Sequence, residues 1–356
     1  MNNLVAQILT RSKPDQNYSR LEQVVCFLAP TLVSSNLVEV RGQFTPVPEP
    51  ECEHILTEFS EATPEEIRNI ITKSASKSCE LDGIPKWLLK ECLDTLLPVI
   101  TKIVNLSLST GTMPKNLKSA ILQPLIKKAL LDSDIFKHYR PVSNLTFISK
   151  VIEKVVVVRM KEHIYTHCLH DPLQSAYLEL HSTETALMKV QNDILCALDN
   201  GNCVILIMLD LSAAFDTVDH NILLSRLSSR FGIHGKALSW LESYLTDRIQ
   251  CVTIDGVKST KRKLACGIPQ GSVLGPSLFS SYTVPVGDVV CKHGLTHHVY
   301  ADDKDIYIAF KPKPEDVSRA VHNSSYYLRY HTFRLEKQKL HHPQQLQISV
   351  LLLMSI

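Results

Sequence analysis

Three aspartates carry the clearest chemistry in this sequence. Asp210 follows a run of apolar residues, and Asp302 and Asp303 are neighbours inside a second apolar segment. Two Mg²⁺ ions about 3.5–4 Å apart can activate an attacking oxygen and stabilise a leaving oxygen in phosphoryl transfer, and Mg²⁺ prefers carboxylate ligands. The aspartates therefore predict a two-metal site. The alternative is that Asp302 and Asp303 are ordinary turn residues.

The segments around these aspartates predict the elements that position them. The continuous apolar run from Cys203 to Leu209 is typical of a strand buried on both faces, and it ends at Asp210. Residues 297–310 predict a β-hairpin with Asp302 and Asp303 at its tip. Other predicted elements are a helix ending at Gly111, a strand over 119–125, a helix capped by Ser182, a helix ending near Gly232, a helix that carries residues 238–244, and a hairpin of residues 249–254 with the segment from 257 onward. Helices and strands mix without regular βαβ alternation, which favours an α+β fold.

Composition narrows the class of protein. The chain has 356 residues, of which 44% are hydrophobic, and a net charge of +2, as expected of a folded protein with two or three subdomains. No leader-like or membrane-spanning apolar stretch is evident, and the ten cysteines are scattered without a CxxC pair. These features predict a nuclear or cytoplasmic protein that is not secreted and has no membrane partner.

The basic residues are unevenly distributed. Residues 112–170 contain ten Lys or Arg against four acids. A local positive excess suits contact with a nucleic-acid backbone. A solvated lysine-rich helix face is the alternative reading of the same charges.

Three ordered segments resemble a known family. Residues 209–220 (LDLSAAFDTVDH) resemble motif A of the reverse transcriptases of non-long-terminal-repeat (LINE-type) retrotransposons, residues 267–276 (GIPQGSVLGP) resemble motif B, and residues 300–303 (YADD) resemble motif C. Upstream, residues 139–145 and 181–187 resemble the fingers blocks of that family. The resemblance runs from about residue 78 to residue 310.

The resemblance implies a polymerase right-hand fold with fingers and palm subdomains. It divides the chain into an N-terminal lead-in (1–80), fingers (81–180), palm (181–312) and a partial helix with an unmatched tail (313–356). The implied activity is RNA-directed DNA polymerisation, in which deoxynucleoside triphosphates extend a DNA primer 3′-hydroxyl on an RNA template. The implied cofactor is two Mg²⁺ ions, with Mn²⁺ as a substitute.

The resemblance also assigns roles to the metal ligands. Asp210 and Asp302 would bind both metals, Asp303 would support the metal that activates the primer hydroxyl, and the Leu211 carbonyl would complete one site. Without the resemblance, these roles do not follow from the residues themselves.

Nucleotide contacts are implied at four further positions. Phe215 matches the aromatic residue that rejects a 2′-hydroxyl, although a Phe after a strand is also a common core residue. Gln270 and Gly271 match the loop beside the incoming nucleotide, where glycine permits close backbone approach. Arg140 falls in the fingers, with Lys127 and Lys128, and would contact template phosphates or the nucleotide. Solvated surface lysines are the alternative for the last two.

The chain departs from the family pattern in several places. Leu178 stands where the family has a triphosphate-binding arginine, and a leucine cannot make that charged contact. Lys304 and Asp305 follow the YADD box, where the cation either competes with the metals or points to solvent. The thumb is expected to be missing or incomplete, and the endonuclease that the family normally encodes upstream is also expected to be missing. These departures predict impaired polymerisation by a fragment of a longer protein.

Two other functions fit parts of the pattern. A non-catalytic RNA-binding remnant or domesticated scaffold would keep the fold and lose turnover. A viral-type RNA polymerase palm would share the metal-binding aspartates, but Phe215 and the Gln270 loop speak against it.

Overall fold

The computed structural model describes residues 51–75, 79–132, 138–211, 214–254, 257–311, 313, 323 and 346–354. Most of the predicted lead-in (1–80) and of the region predicted as a partial helix and tail (313–356) lies outside these residues. The described chain divides into two compact units. We call residues 172–211 and 285–354 the hairpin unit, and residues 51–171 and 214–284 the mixed unit.

The hairpin unit is built on a four-stranded antiparallel sheet. Its strands lie in the order β7-β8-β3-β9, and their bounds are β3 Cys203–Leu211, β7 Thr296–Tyr300, β8 Asp303–Phe310 and β9 Leu346–Met354. The last strand comes from the tail, which the sequence analysis left without structure. It pairs along β3 from Cys203↔Met354 to Leu211↔Leu346. This unit thus provides both predicted aspartate-bearing elements in one sheet.

Strand β3 is buried on both faces, as its unbroken apolar sequence predicts. Alternate residues, from Cys203 to Leu209, pack with Val289 and Val290. The intervening Val204 and Leu206 point to the other face of the sheet, where they pack with Val190 and Ile194. The helices that cover the two faces are Pro285–Lys292 and Thr183–Asp199 respectively. Ser182 caps the latter helix through the Thr185 N–H, which confirms the predicted start.

The mixed unit combines helices with a five-stranded sheet in the order β2-β1-β4-β5, in which β6 also pairs with β4. Its strands are β1 Ser119–Ile126, β2 Tyr139–Leu145, β4 Ile249–Ile254, β5 Val257–Lys258 and β6 Arg262–Lys263. Strands β1 and β2 are antiparallel, and β1 and β4 are parallel. The predicted strand over 119–125 and the predicted 249–257 hairpin are both present.

Helices supply the core of the mixed unit. In chain order with the two helices above, α1 to α9 are Pro64–Lys73, Lys86–Glu91, Leu93–Thr110, Phe147–Thr166, Thr183–Asp199, His220–Ser229, Gly235–Leu245, Gly275–Thr283 and Pro285–Lys292. Helix α3 ends where predicted, because Gly111 adopts φ 63° and its N–H donates to the Leu108 carbonyl. Trp240 of α7 is fully buried and donates to the Ser107 hydroxyl of α3 at 2.9 Å.

Two general properties follow from the described residues. No helix among them is long and apolar enough to cross a membrane. All nine cysteines in the described part of the chain are free thiols.

Candidate active site

Asp302 and Asp303 lie at the tip of the β7–β8 hairpin. Tyr300 pairs with Asp303, so Ala301 and Asp302 form a two-residue connection. Ala301 has φ 60°, in the left-handed region that costs a residue with a Cβ about 1 kcal/mol or more. A positive φ at the first central residue is the pattern of a type II′ hairpin turn. The predicted hairpin and the place of both aspartates on it are therefore confirmed.

Asp210 reaches the same end of the sheet. The last β3–β8 pair is Leu209↔Lys304. Because the strands are antiparallel, the residue after Leu209 lies beside the residue before Lys304, which is Asp303. The backbones of the three predicted ligand positions thus converge. The side chains of Asp210 and Leu211 lie outside the described part of the structure, so their roles stay predictions.

The tip concentrates negative charge. Asp305 is largely buried, and this burial, together with the nearby Asp303, raises its pKa to about 6. Burial also raises the pKa of the Tyr177 hydroxyl, and the charge of Asp302 adds to that effect. Excess carboxylate charge in partly desolvated surroundings is the electrostatic setting in which a hard cation binds. Among the described side chains, which do not include Asp210, no three His, Cys, Asp or Glu form a metal site.

Lys304 does not extend into solvent. Its side chain is 3% exposed, and the residue lies within β8 opposite Leu209. The sequence allowed Lys304 either to compete with the metal ions or to point to solvent, and the second alternative is wrong. Burial is consistent with the alternation of β8, in which Lys304 follows the same register as the buried Ile306.

The raised pKa of Asp305 makes stability depend on pH. Asp305 lies opposite His298 and near Asp303 and Tyr307. The folded state holds a proton that the unfolded chain releases near pH 4, so the free energy of unfolding falls as pH rises through about 4 to 6. Asp305→Asn is expected to remove a cost of up to about 3 kcal/mol above pH 7 and to have much less effect at pH 4.

Urea denaturation in EDTA at both pH values measures this difference. Glu179→Gln, an exposed change in the same unit, is the control. An equal gain at the two pH values would show that the charge of Asp305 is not responsible.

The loop that resembles motif B is held between two other segments of the mixed unit. The Gln270 carbonyl accepts from the Ser143 N–H of β2 at 2.6 Å. The Gln270 side-chain amide donates to an Asp216 carboxylate oxygen at 3.2 Å. Nearer the loop's start, Ile268 N–H donates to the Phe215 carbonyl at 2.8 Å. The structure thus brings Phe215, Gln270 and the strand of Arg140 together within this unit.

Phe215 is half-buried and stacks on Phe279 of α8, with ring centroids 4.9 Å apart. This packing is consistent with Phe215 as a core residue. Because the residue is only half-buried, it is also consistent with contact between Phe215 and a nucleotide sugar. Arg140 lies on β2 opposite Leu125 of β1 and is exposed. Lys127 and Lys128 are exposed just after β1. All three can therefore meet a phosphate from solvent.

Gly271 has no room for a side chain. Its φ is 101°, and an added Cβ would lie 2.9 Å from the Ser143 carbonyl oxygen. Gly271→Ala is expected to lower the free energy of unfolding by about 2 kcal/mol or more, because it combines backbone strain with a clash against backbone. Urea denaturation measures the loss.

Gly201→Ala is the matched control for that change. Gly201 also has a positive φ, 68°, but nothing lies within 4 Å of an added Cβ. Its loss of about 1 kcal/mol reports strain alone. Equal losses for the two variants would contradict the close approach of Gly271 to β2.

Glu153 was missed by the sequence analysis. It lies in α4 with 0% exposure, and one carboxylate oxygen accepts from the N–H groups of Val273 and Leu274 at 2.7 and 3.1 Å. The other accepts from the Ser149 hydroxyl at 3.0 Å. Glu153 therefore ties the end of the motif B-like loop to α4. The signal in the sequence was an acid inside the Val- and Ile-rich stripe of that helix.

The pairing of the segment before Leu178 with β7 was also missed. Residues 173–176 pair in parallel with β7 through Gln174↔Val299. The Gln174 side-chain oxygen accepts from the Ala301 N–H at the hairpin tip. Leu178 is half-buried and follows Tyr177, whose φ is 64°. Gln174 belongs to a block that resembles the family, but no local pattern in the sequence predicts its contact with the hairpin tip.

Comparisons with known proteins agree with these motifs. Residues 126–351 match the family model "Reverse transcriptase (RNA-dependent DNA polymerase)". The chain is 30% identical over 252 residues to "RNA-directed DNA polymerase from mobile element jockey" of Drosophila melanogaster, covering 70% of this chain and 26% of that protein.

More distant relatives point the same way. A probable RNA-directed DNA polymerase from transposon BS of Drosophila melanogaster is 30% identical over 58% of this chain and 22% of its own length. A Pol polyprotein from retrotransposable element R2 of Popillia japonica is 25% identical over 47% of this chain and 24% of its own length. The chain thus spans about a quarter of the length of these relatives.

Proposed function

Because this chain belongs to the reverse transcriptase (RNA-dependent DNA polymerase) family, among the enzymes of LINE-type mobile elements, we propose that it extends a DNA primer on an RNA template. The substrates are deoxynucleoside triphosphates, and the reaction is attack of the primer 3′-hydroxyl on the α-phosphorus with release of pyrophosphate. RNA and primer are the proposed macromolecular partners.

One observation supports this proposal above the others. The β3–β8 register carries the strand of Asp210 to the side of the hairpin tip that bears Asp302 and Asp303. Carboxylates from two hydrogen-bonded strands are hard oxygen donors on rigid elements, as Mg²⁺ requires.

The roles within the metal centre follow the family. Asp210 and Asp302 would hold both Mg²⁺ ions, Asp303 would support one of them, and the Leu211 carbonyl would complete one site. When bound, the ions stabilise the attacking and leaving oxygens; Mn²⁺ can replace them. The backbone pairing of β3 with β8, the strands that carry Asp210, Leu211 and Asp303, supports this assignment.

The mixed unit supplies the proposed nucleotide contacts. Phe215 packs under the sugar and disfavours a 2′-hydroxyl, while Gln270 and Gly271 line the nucleotide. Arg140 contacts phosphate. Leu178 lacks the charge of the family's arginine, so the affinity for the triphosphate is low and extension is slow.

Primer extension on poly(rA)/oligo(dT) with Mg²⁺ tests the proposal. We expect short products that disappear in EDTA, and more product when Leu178→Arg restores the guanidinium. The rival function, a non-catalytic RNA-binding remnant or scaffold, predicts template binding without extension even in Leu178→Arg. That result would reject polymerisation by this chain.

Phe215→Ala tests the choice of sugar. Removing the ring is expected to relax discrimination between deoxy- and ribonucleotides by about 10- to 100-fold, in line with the value of one specific steric contact. Competition between the two nucleotide types measures it. A loss of thermal stability with unchanged discrimination would assign Phe215 to the core alone, through its stacking on Phe279.

A further inference from the structure

The turn that carries Asp302 is held from outside the hairpin. Residues 173–176 run beside β7, where the Ser175 N–H donates to the Val299 carbonyl and the Val299 N–H donates to the Leu173 carbonyl, both at 2.9 Å. The Ser175 hydroxyl also lies 2.9 Å from Nε2 of His298, and both side chains are buried. We call residues 173–176 the strap. It is anchored to β7 by backbone pairing before it reaches the tip.

Gln174 extends the strap to the turn itself. Its side-chain oxygen accepts from the N–H of Ala176 at 2.8 Å and from the N–H of Ala301 at 3.3 Å. Both alanines are buried, at 3% and 8% exposure. A buried N–H without an acceptor costs about 1–3 kcal/mol. One amide oxygen therefore satisfies two donors that an apolar side chain at this position would leave unpaired.

Ala301 is the residue that most needs such support. Its left-handed φ of 60° is strained for a residue with a Cβ, and strain of this kind persists only where surrounding contacts impose it. Ala301 immediately precedes Asp302. A turn free to relax would move the backbone that carries both carboxylates.

We propose that Gln174 is a positioning residue for the metal-binding turn. Its amide oxygen locks the Ala301 N–H, and so fixes the backbone from which Asp302 and Asp303 project. This inference rests on the proposed function in that it takes the turn to be the metal site.

Hydrogen exchange of the peptide spanning residues 299–304 tests the lock without metal. Gln174→Leu is expected to speed exchange there about tenfold, the factor for losing one buried hydrogen bond. Gln174→Glu keeps an acceptor and should retain protection. Ser175→Ala, which removes only the contact with His298, is the matched control and should leave the exchange of this peptide within about twofold.

Mn²⁺ binding to the metal-free protein, followed by electron paramagnetic resonance, gives the second readout. Gln174→Leu is expected to weaken it about tenfold, the usual effect of losing a residue that orients ligands. Failure of the unmodified protein to bind Mn²⁺ would count against the proposed function. Unchanged exchange in a folded Gln174→Leu would overturn the positioning role, so the two failures are distinguishable.

Gln174→Met guards against a folding defect in the leucine variant, since it matches the length of glutamine. Thermal unfolding reports whether each variant folds. If both Gln174→Leu and Gln174→Met unfold while Ser175→Ala folds, Gln174 is a general structural residue, and the specific role at the turn is wrong.

Discussion

Primer extension by this chain is expected to fall by about a thousandfold when Asp302 is replaced by asparagine. The amide keeps the size and the turn position of the side chain but removes the charge that holds the metal ions. Metal ions contribute several kcal/mol of charge stabilisation in phosphoryl transfer, and about 4 kcal/mol corresponds to a thousandfold in rate. Mn²⁺ binding to the same variant should weaken in parallel.

Asp199→Asn is the control for that experiment. Asp199 is an exposed carboxylate at the end of α5 in the hairpin unit, away from the tip in sequence. It should keep both extension and Mn²⁺ binding. Extension that survives in Asp302→Asn would remove the metal role from this residue, whatever the behaviour of the control.

The second large effect is on stability and concerns Glu153. Glu153→Ala would leave the N–H groups of Val273 and Leu274 without their buried acceptor. Each buried N–H left without an acceptor costs about 1–3 kcal/mol, so the two together cost about 2–6 kcal/mol. Urea denaturation should show a loss of that size.

Glu162→Ala is the control for the effect that a glutamate-to-alanine change has on helix propensity alone. Glu162 is on the same helix and exposed, so its replacement should change stability by less than about 0.5 kcal/mol. Glu153→Gln keeps an acceptor and should lose less than Glu153→Ala. A loss below about 1 kcal/mol in Glu153→Ala would contradict a structural role for the buried carboxylate.

The sequence predicts the parts of this molecule that depend on local chemistry. The apolar run before Asp210 requires a strand covered on both faces, and Ser182 and Gly111 mark helix ends because their side chain or backbone suits those positions. The hairpin over 297–310 follows from alternating residues around a turn. These features need only neighbouring residues to be recognised.

Contacts between residues that are far apart in the sequence could not be predicted. Gln174 acts on Ala301 across 127 positions and Glu153 on Leu274 across 121, and no local pattern specifies either pairing. The tail likewise lacked a turn or motif that would assign it to the edge of β3. Such contacts depend on the register of the strands and on how far each side chain extends. Neither is known until strands that are distant in the sequence have paired.

Pairing by β9 gives β3 a neighbour on each side, so the strand that leads to Asp210 has no open edge. An unpaired strand presents free N–H and C=O groups that recruit other chains. Removing residues 346–354 would convert an interior strand into such an edge. A shortened version of this protein is therefore expected to self-associate, with the Asp210 strand as the contact surface.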